Sequence, residues 1–143
     1  ITYSMNFKEI QDIVEKKLNV DLFIKSRLRP LVEARFMYFL LCKEFSDEKT
    51  LSKIGKSLNK DHATVLHGIK TLNNLMLYDA KIYKVYIELY DLCSKISGAK
   101  KKKHTLYFEL SNKIRNQNKL IKELQEKIKH YESIVEGHFT ESR

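Results

Sequence analysis

The stretch from Leu51 to Leu66, LSKIGKSLNKDHATVL, decides the fold. Leu51, Ile54 and Leu58 recur three and four residues apart and make one apolar face of a short helix, with Thr50 placed to cap it. Asn59 and Lys60 form a polar break. Asp61 then opens a second helix, its carboxylate placed to accept from N–H groups one turn in, at Ala63 or Thr64. A helix, a tight turn and a capped second helix form the helix-turn-helix pattern, whose second helix meets base edges with its first residues. His62, Ala63, Thr64 and His67 fall there, while Val65, Leu66, Ile69, Leu72 and Leu75 to Leu77 continue the apolar side inward. The motif is expected over residues 51–75. Gly55 falls where crossed helices need close approach, although a small residue inside a helix need not have that job.

Upstream, Asn6 with Glu9 three residues on reads as a capped start to a first helix bearing Phe7, Ile10, Ile13, Val14 and Leu18. Asn19 to Ile24 reads as a turn with a brief helical piece. Lys25, Arg27 and Arg29 make the following connection basic, and Pro30 suits the first turn of the next helix. That helix is expected from Leu31 to Phe45, with Val32, Phe36, Phe39, Leu40 and Leu41 inward and Arg35 on another side. Downstream, Tyr78 and Asp79 mark a break. Ala80 to Ile96 reads as a helix carrying Ile82, Val85, Tyr86, Leu89, Cys93 and Ile96, ended by Ser97 and Gly98. Tyrosines at helical spacing, Tyr38, Tyr83, Tyr86 and Tyr90 with Tyr3, fit packing better than base stacking.

After an unbroken lysine run, Lys100 to Lys103, the apolar period changes to seven. One seam position holds Tyr107, Ile114, Ile121, Ile128 and Val135; the other holds Leu110, Gln117, Leu124 and Tyr131. β-branched residues at one position with leucine at the other favour a parallel two-stranded coiled coil, and the polar Gln117 could set its register. The other reading is a long helix folded back on its own head. The expected fold class is therefore all-α: a Trp-repressor-like helix-turn-helix bundle over residues 1–98, a basic linker 99–103, a coiled-coil helix 104–137 and a frayed tail 138–143.

The chain has 143 residues, with 27 Lys and Arg against 18 Asp and Glu, a net charge of +9. That sign favours polyanions, nucleic acid before anionic membrane, although soluble surfaces also carry such excess. Charge breaks every apolar run, so no transmembrane helix is expected, and the first residues lack the pattern of a secretory signal. Cys42 and Cys93 both sit on apolar stripes and read as buried thiols rather than a disulfide. No Cys and His spacing suggests zinc, no nucleophile, base and orienting residue occur together, and no GxxxxGK[ST] phosphate loop is present. An enzyme, a metal site and a cofactor or nucleotide are not expected.

The stretch from Ile10 to about Leu75 also resembles a known family, the C-terminal DNA-binding domain of the bacterial replication initiator DnaA. The family signature is close to RDHTTVLHA, and this chain has Lys60-Asp61-His62-Ala63-Thr64-Val65-Leu66-His67-Gly68. Leu51-Ser52-Lys53-Ile54-Gly55 resembles the family's SLPEIG, Ala34-Arg35-Phe36-Met37 stands where the family has an arginine–glutamine pair, and Arg27 stands in the basic loop. The resemblance implies binding to double-stranded DNA at short asymmetric boxes. It places His62, Thr64 and His67 in the major groove and Arg27 in the minor groove. Arg35 and Lys60 are placed at phosphate or base edges, and Asp61 serves as a structural cap. Arg29, beside Arg27, belongs with the phosphate or groove contacts, and Ala63 with the groove face. Three positions depart from the pattern. Ala63 replaces a threonine, so only a methyl contact is left there. Phe36 replaces the glutamine. Lys60 replaces an arginine, a point charge in place of a fork.

The expected function is sequence-specific DNA binding by a dimer in replication or transcription control, from a DNA-binding head without the family's ATPase module, of the kind that phages and mobile elements carry. The expected location is the cytoplasm, at the nucleoid, or the host cytoplasm if phage-encoded. A structural or adaptor protein, such as a virion or host-takeover component that assembles through its long helix, is the alternative.

Overall fold

Asn6 caps the first helix as its sequence suggests. Its side-chain oxygen accepts from the Glu9 N–H at 2.9 Å, and its amide donates to the Glu9 carboxylate at 3.1 Å. The computed structural model describes residues 4–98 and 102–141, with side chains over 4–98 and 109–138. Among these residues the elements are α1 (Phe7–Leu18), α2 (Arg29–Phe45), α3 (Leu51–Lys56), α4 (His62–Tyr78), α5 (Ala80–Ser97) and α6 (Lys102–Glu141). The chain forms two units, divided between His104 and Thr105. No strand occurs among the described residues; a single bridge ties Met5 to Ser46, with the Met5 N–H donating to the Phe45 carbonyl at 2.9 Å.

In the first unit α2 is the central helix and packs against α1, α3, α4 and α5. That position explains a difference from the expected inward set. Leu31, Ala34, Arg35, Met37, Tyr38, Phe39, Leu41, Cys42 and Phe45 are buried, while Val32, Phe36 and Leu40 are only half-buried. A helix covered from several directions has no single inward stripe, so periodicity finds the helix but not its deepest face. The core joins Ile10 and Val14 of α1, Ile54 of α3, Val65, Leu72 and Met76 of α4, and Tyr86, Leu89 and Cys93 of α5. Each such side chain contributes on the order of 1.5–3 kcal/mol. Cys42 and Cys93 are free and buried. Burial pushes the Cys93 thiol up to about 12 and Cys42 further up, so both stay protonated.

The helix bounds differ from expectation at a few ends. α2 begins at Arg29, two residues early, because Pro30 falls in its first turn. The stretch after Asn19 is a turn without a helical piece, closed by Asn19 in the left-handed conformation (φ 53°). Thr50 stands at the N-cap of α3 without a side-chain hydrogen bond. Asp79 ends α4 and caps α5, accepting from the Lys81 and Ile82 N–H groups. Leu66 and Ile96, expected inward, are exposed.

The second unit is helical. α6 runs through residues 138–141, where fraying was expected, and it already includes Lys102 and Lys103 of the expected linker. The rest of that linker, residues 99–101, and the Tyr107 side chain lie outside what is described. Along the seam Leu110, Ile114, Ile121, Leu124, Ile128, Tyr131 and Val135 are exposed, and Leu120 and Ile134 beside it are exposed too.

Gly55 sets the close approach between α3 and the turn that follows. A Cβ there would lie 2.6 Å from the Lys60 carbonyl oxygen and 2.9 Å from that of Asp61. Both are backbone atoms and cannot swing away. Gly55→Ala is expected to destabilise the head by about 1–3 kcal/mol through overpacking, read as a lower urea midpoint with an unchanged slope.

Candidate nucleic-acid interface

The turn between α3 and α4 is built from backbone. Asn59 takes the left-handed conformation (φ 57°), which asparagine tolerates better than most residues. The Gly55 carbonyl accepts from the Leu58 N–H at 3.0 Å and from the Lys60 N–H at 2.8 Å. α4 then starts on Asp61, whose carboxylate accepts from the Thr64 N–H at 2.8 Å and from the Thr64 hydroxyl at 2.6 Å. The Thr64 hydroxyl hydrogen is thus turned to the cap, and Thr64 is half-buried. These two bonds hold the Asp61 carboxyl below its ordinary value of 3.8, the Thr64 hydroxyl having the larger effect.

Val65, Gly68, Ile69, Leu72 and Met76 form the buried side of α4. The opposite side exposes His62, Ala63, Leu66, His67 and Lys70. His62, Ala63 and His67 are each exposed, the two histidines pointing to different parts of that open side. Leu66 and Lys70 join them at three- and four-residue spacings; the spacing is visible in the sequence, but the apolar character of Leu66 hides it. Beside this face lies a cleft of about 390 Å³ lined by Ser52, Lys56, Asn59, Lys60, Asp61 and His62. Lys60 is exposed there, as a phosphate contact requires; Ser52 and Lys56 were not singled out, although they lie off the apolar face of α3.

The arginines divide. Arg27 is exposed in the basic loop. Arg29 is exposed but pairs with Glu33 at 2.5 Å and with Asp79 at 3.8 Å, and the Glu33 hydrogen bond raises its pKa. Arg35, expected at phosphate or a base edge, is corrected by the structure: it is 8% exposed and its guanidinium faces inward. Its Nε donates to the Leu22 carbonyl at 3.1 Å, Nη1 to that of Ser26 at 2.9 Å and Nη2 to that of Ile24. The guanidinium has five N–H donors in a rigid fork, and a loop with no helical ladder supplies carbonyls in need of them. Two further bonds, from the Phe23 N–H to Asp21 and from the Leu28 N–H to the Ser26 hydroxyl, complete the loop. Arg35 thus organises the segment that carries Arg27, and Phe23, Ile24 and Leu28 are left exposed on it.

A capped recognition-type helix, a glycine-closed turn and a pinned basic loop define the class: a helix-turn-helix head. Comparison with known proteins shows what this head is similar to. Residues 7–72 match the family model for the bacterial dnaA protein helix-turn-helix. The chain is similar to the chromosomal replication initiator protein DnaA of Bacteroides thetaiotaomicron, 36% identical over 98 residues, which cover 66% of this chain and 21% of that protein. It is 41% identical over 75 residues to the DnaA of Bacteroides fragilis (50% of this chain, 16% of that protein). The DnaA of Flavobacterium psychrophilum is 35% identical over 92 residues (62% and 18%). The chain spans about a fifth of the length of these relatives. Among the described residues no helix is long and apolar enough to cross a membrane, and no cluster of His, Cys, Asp and Glu is suited to a metal ion.

Two outcomes follow from this geometry. Arg35→Ala removes the guanidinium from three loop carbonyls, of which that of Ile24 keeps the Ser26 N–H at 2.9 Å, so hydrogen exchange over residues 22–28 should rise by an order of magnitude or more, and Arg35→Lys should repair it only in part. Because the Asp61 carboxyl is depressed in the folded state, its cap stabilises above the ordinary value of 3.8 and is lost as pH falls through the folded value. Asp61→Asn should flatten the acid limb of stability below about pH 4, measured by thermal melts from pH 6 to 2.

Proposed function

We propose that this chain binds double-stranded DNA site-specifically, with α4 in the major groove and the Arg35-pinned loop carrying Arg27 into the adjacent minor groove. The observation that carries this reading is the exposed face of His62, Ala63 and His67 on a helix opened by Asp61 and flanked by exposed Lys56 and Lys60. Lysines at the cleft supply phosphate attraction without sequence information, and the α4 face and Arg27 supply the base readout. Thr64 reaches the same groove only through its methyl and a hydroxyl lone pair, since its proton goes to Asp61. Arg29 adds charge near phosphate once its pairs with Glu33 and Asp79 exchange. The DnaA relatives are named as replication initiators, which favours a role in replication, with control of transcription as the other use of such binding. The site of action is then the nucleoid in the cytoplasm, and neither a nucleotide nor a membrane is a partner of these residues.

The same reading makes the protein a dimer through a parallel coiled coil of α6. An exposed apolar stripe on a helix of 40 residues favours a covering partner, and a second copy fits it. In parallel register Lys127 of one copy falls opposite Glu132 of the other, an attractive pair at flanking positions. Two linked heads then gain affinity on paired sites by effective concentration.

Selection of binding sites from random duplexes, at two salt concentrations, should return one preferred box. Arg27→Ala and His62→Ala should each lower discrimination against single-base changes by about 1–3 kcal/mol. Lys102→Ala should weaken all duplexes alike and reduce the salt slope by about one unit. Equal affinity for every duplex overturns the reading. Separately, Ile121→Lys should turn a sedimenting dimer into a folded monomer; a monomeric wild type at micromolar concentration removes the coiled coil.

A further inference from the structure

α2 and α4 meet at a glycine. A Cβ at Gly68 would lie 2.6 Å from Cδ1 and 3.0 Å from Cε1 of Phe36, and 3.1 Å from Cδ2 of Phe39. The Phe36 ring thus fills the space that a side chain at position 68 would take. The ring also meets the His67 imidazole edge to face, with centroids 6.2 Å apart and planes at 86°. Phe36 is half-buried, His67 is exposed, and the His67 Nε2 lies 3.5 Å from the Thr71 hydroxyl, at the limit of a hydrogen bond. Arg35, the neighbour of Phe36 on α2, faces inward. Where α2 meets the buried Gly68 of α4, the half-buried Phe36 ring thus lies beside the exposed His67 imidazole.

We propose that Phe36 and Gly68 act as a pair that sets base preference at one step of the duplex. Phe36 covers a thymine 5-methyl in the major groove, and its ring holds the His67 imidazole in one orientation toward the adjacent base pair. The chemistry is selective: a phenyl ring neither donates nor accepts, so what it reads at a base edge is the methyl that distinguishes thymine. Gly68 is required because a side chain there displaces the ring. Phe36 is thus a specificity residue in its own contact and a positioning residue for His67. The inference rests on the duplex reading proposed above.

The test uses the full chain and its selected box, with each thymine replaced in turn by deoxyuridine. One replacement should cost the wild type roughly fourfold in affinity, the worth of one buried methyl. Phe36→Gln should lose sensitivity at that position alone, with the salt slope unchanged. In the free protein, Phe36→Ala should shift the His67 ring-proton resonances. Gly68→Ala should shift the same resonances and lower the melting temperature, and adding Phe36→Ala to it should recover part of that loss. A selected box with no methyl-sensitive thymine, or the same sensitivity in Phe36→Gln, overturns this inference and leaves DNA binding standing. His67 resonances indifferent to Phe36 also overturn it. A chain that selects no duplex overturns the DNA reading and this inference together.

Discussion

The approach of α3 to its following turn at Gly55 is the constraint on which the first unit depends. Backbone oxygens of Lys60 and Asp61 lie where a Cβ would stand, and the Gly55 carbonyl itself receives the Leu58 and Lys60 N–H groups. Asn59 takes the positive φ that lets the chain reverse in so few residues. After this turn Asp61 caps a new helix, and Val65, Ile69 and Leu72 lie on its buried side where it packs among α2, α3 and α5. The outward face of α4 is the remainder: the residues left over when the inward ones have packed. It consists of two histidines, an alanine, a leucine and a lysine, all exposed.

Charge is divided by burial. A net charge of +9 describes the chain as a whole, but its arginines do three separate jobs. Arg35 is an internal clamp on loop carbonyls, Arg29 is tied to Glu33 and Asp79, and Arg27 stands clear. Burying a guanidinium is costly unless its donors are satisfied, and three loop carbonyls accept from this one. The result is a basic segment already ordered before any ligand arrives, which lowers the entropy lost when it engages a partner. Surface pairs such as Arg29–Glu33 are worth little by themselves and can exchange for phosphate oxygens without strain on the fold.

α6 obeys a different rule. Forty helical residues span about 60 Å, and most helical stability in proteins comes from an amphipathic face that is covered. Ile121, Leu124 and Ile128 are each about half exposed, so the stripe is an energy reserve rather than a core. The dimer proposed above would cover that stripe with a second copy of the chain, an arrangement for which the heptad spacing is the support.

Much of this was legible in the sequence because its causes are local. The capping of α1 by Asn6, the turn at Asn59, the cap at Asp61, the break at Asp79 and the helical period of each segment depend on residues within about one turn of each other. So does the heptad of α6. What only the tertiary structure decided depends on contacts between distant segments. Arg35 looks like any basic residue near a basic loop until the loop folds over it, thirteen residues from Leu22. Leu66 and Leu72 share a side-chain type, yet one is exposed and the other buried, because α2 covers only one side of α4. Phe36 and Gly68 are thirty-two positions apart, and nothing local says that one fills the space the other leaves. Local chemistry determined which helices form and where they stop; packing between them decided which side chains remain to meet a partner.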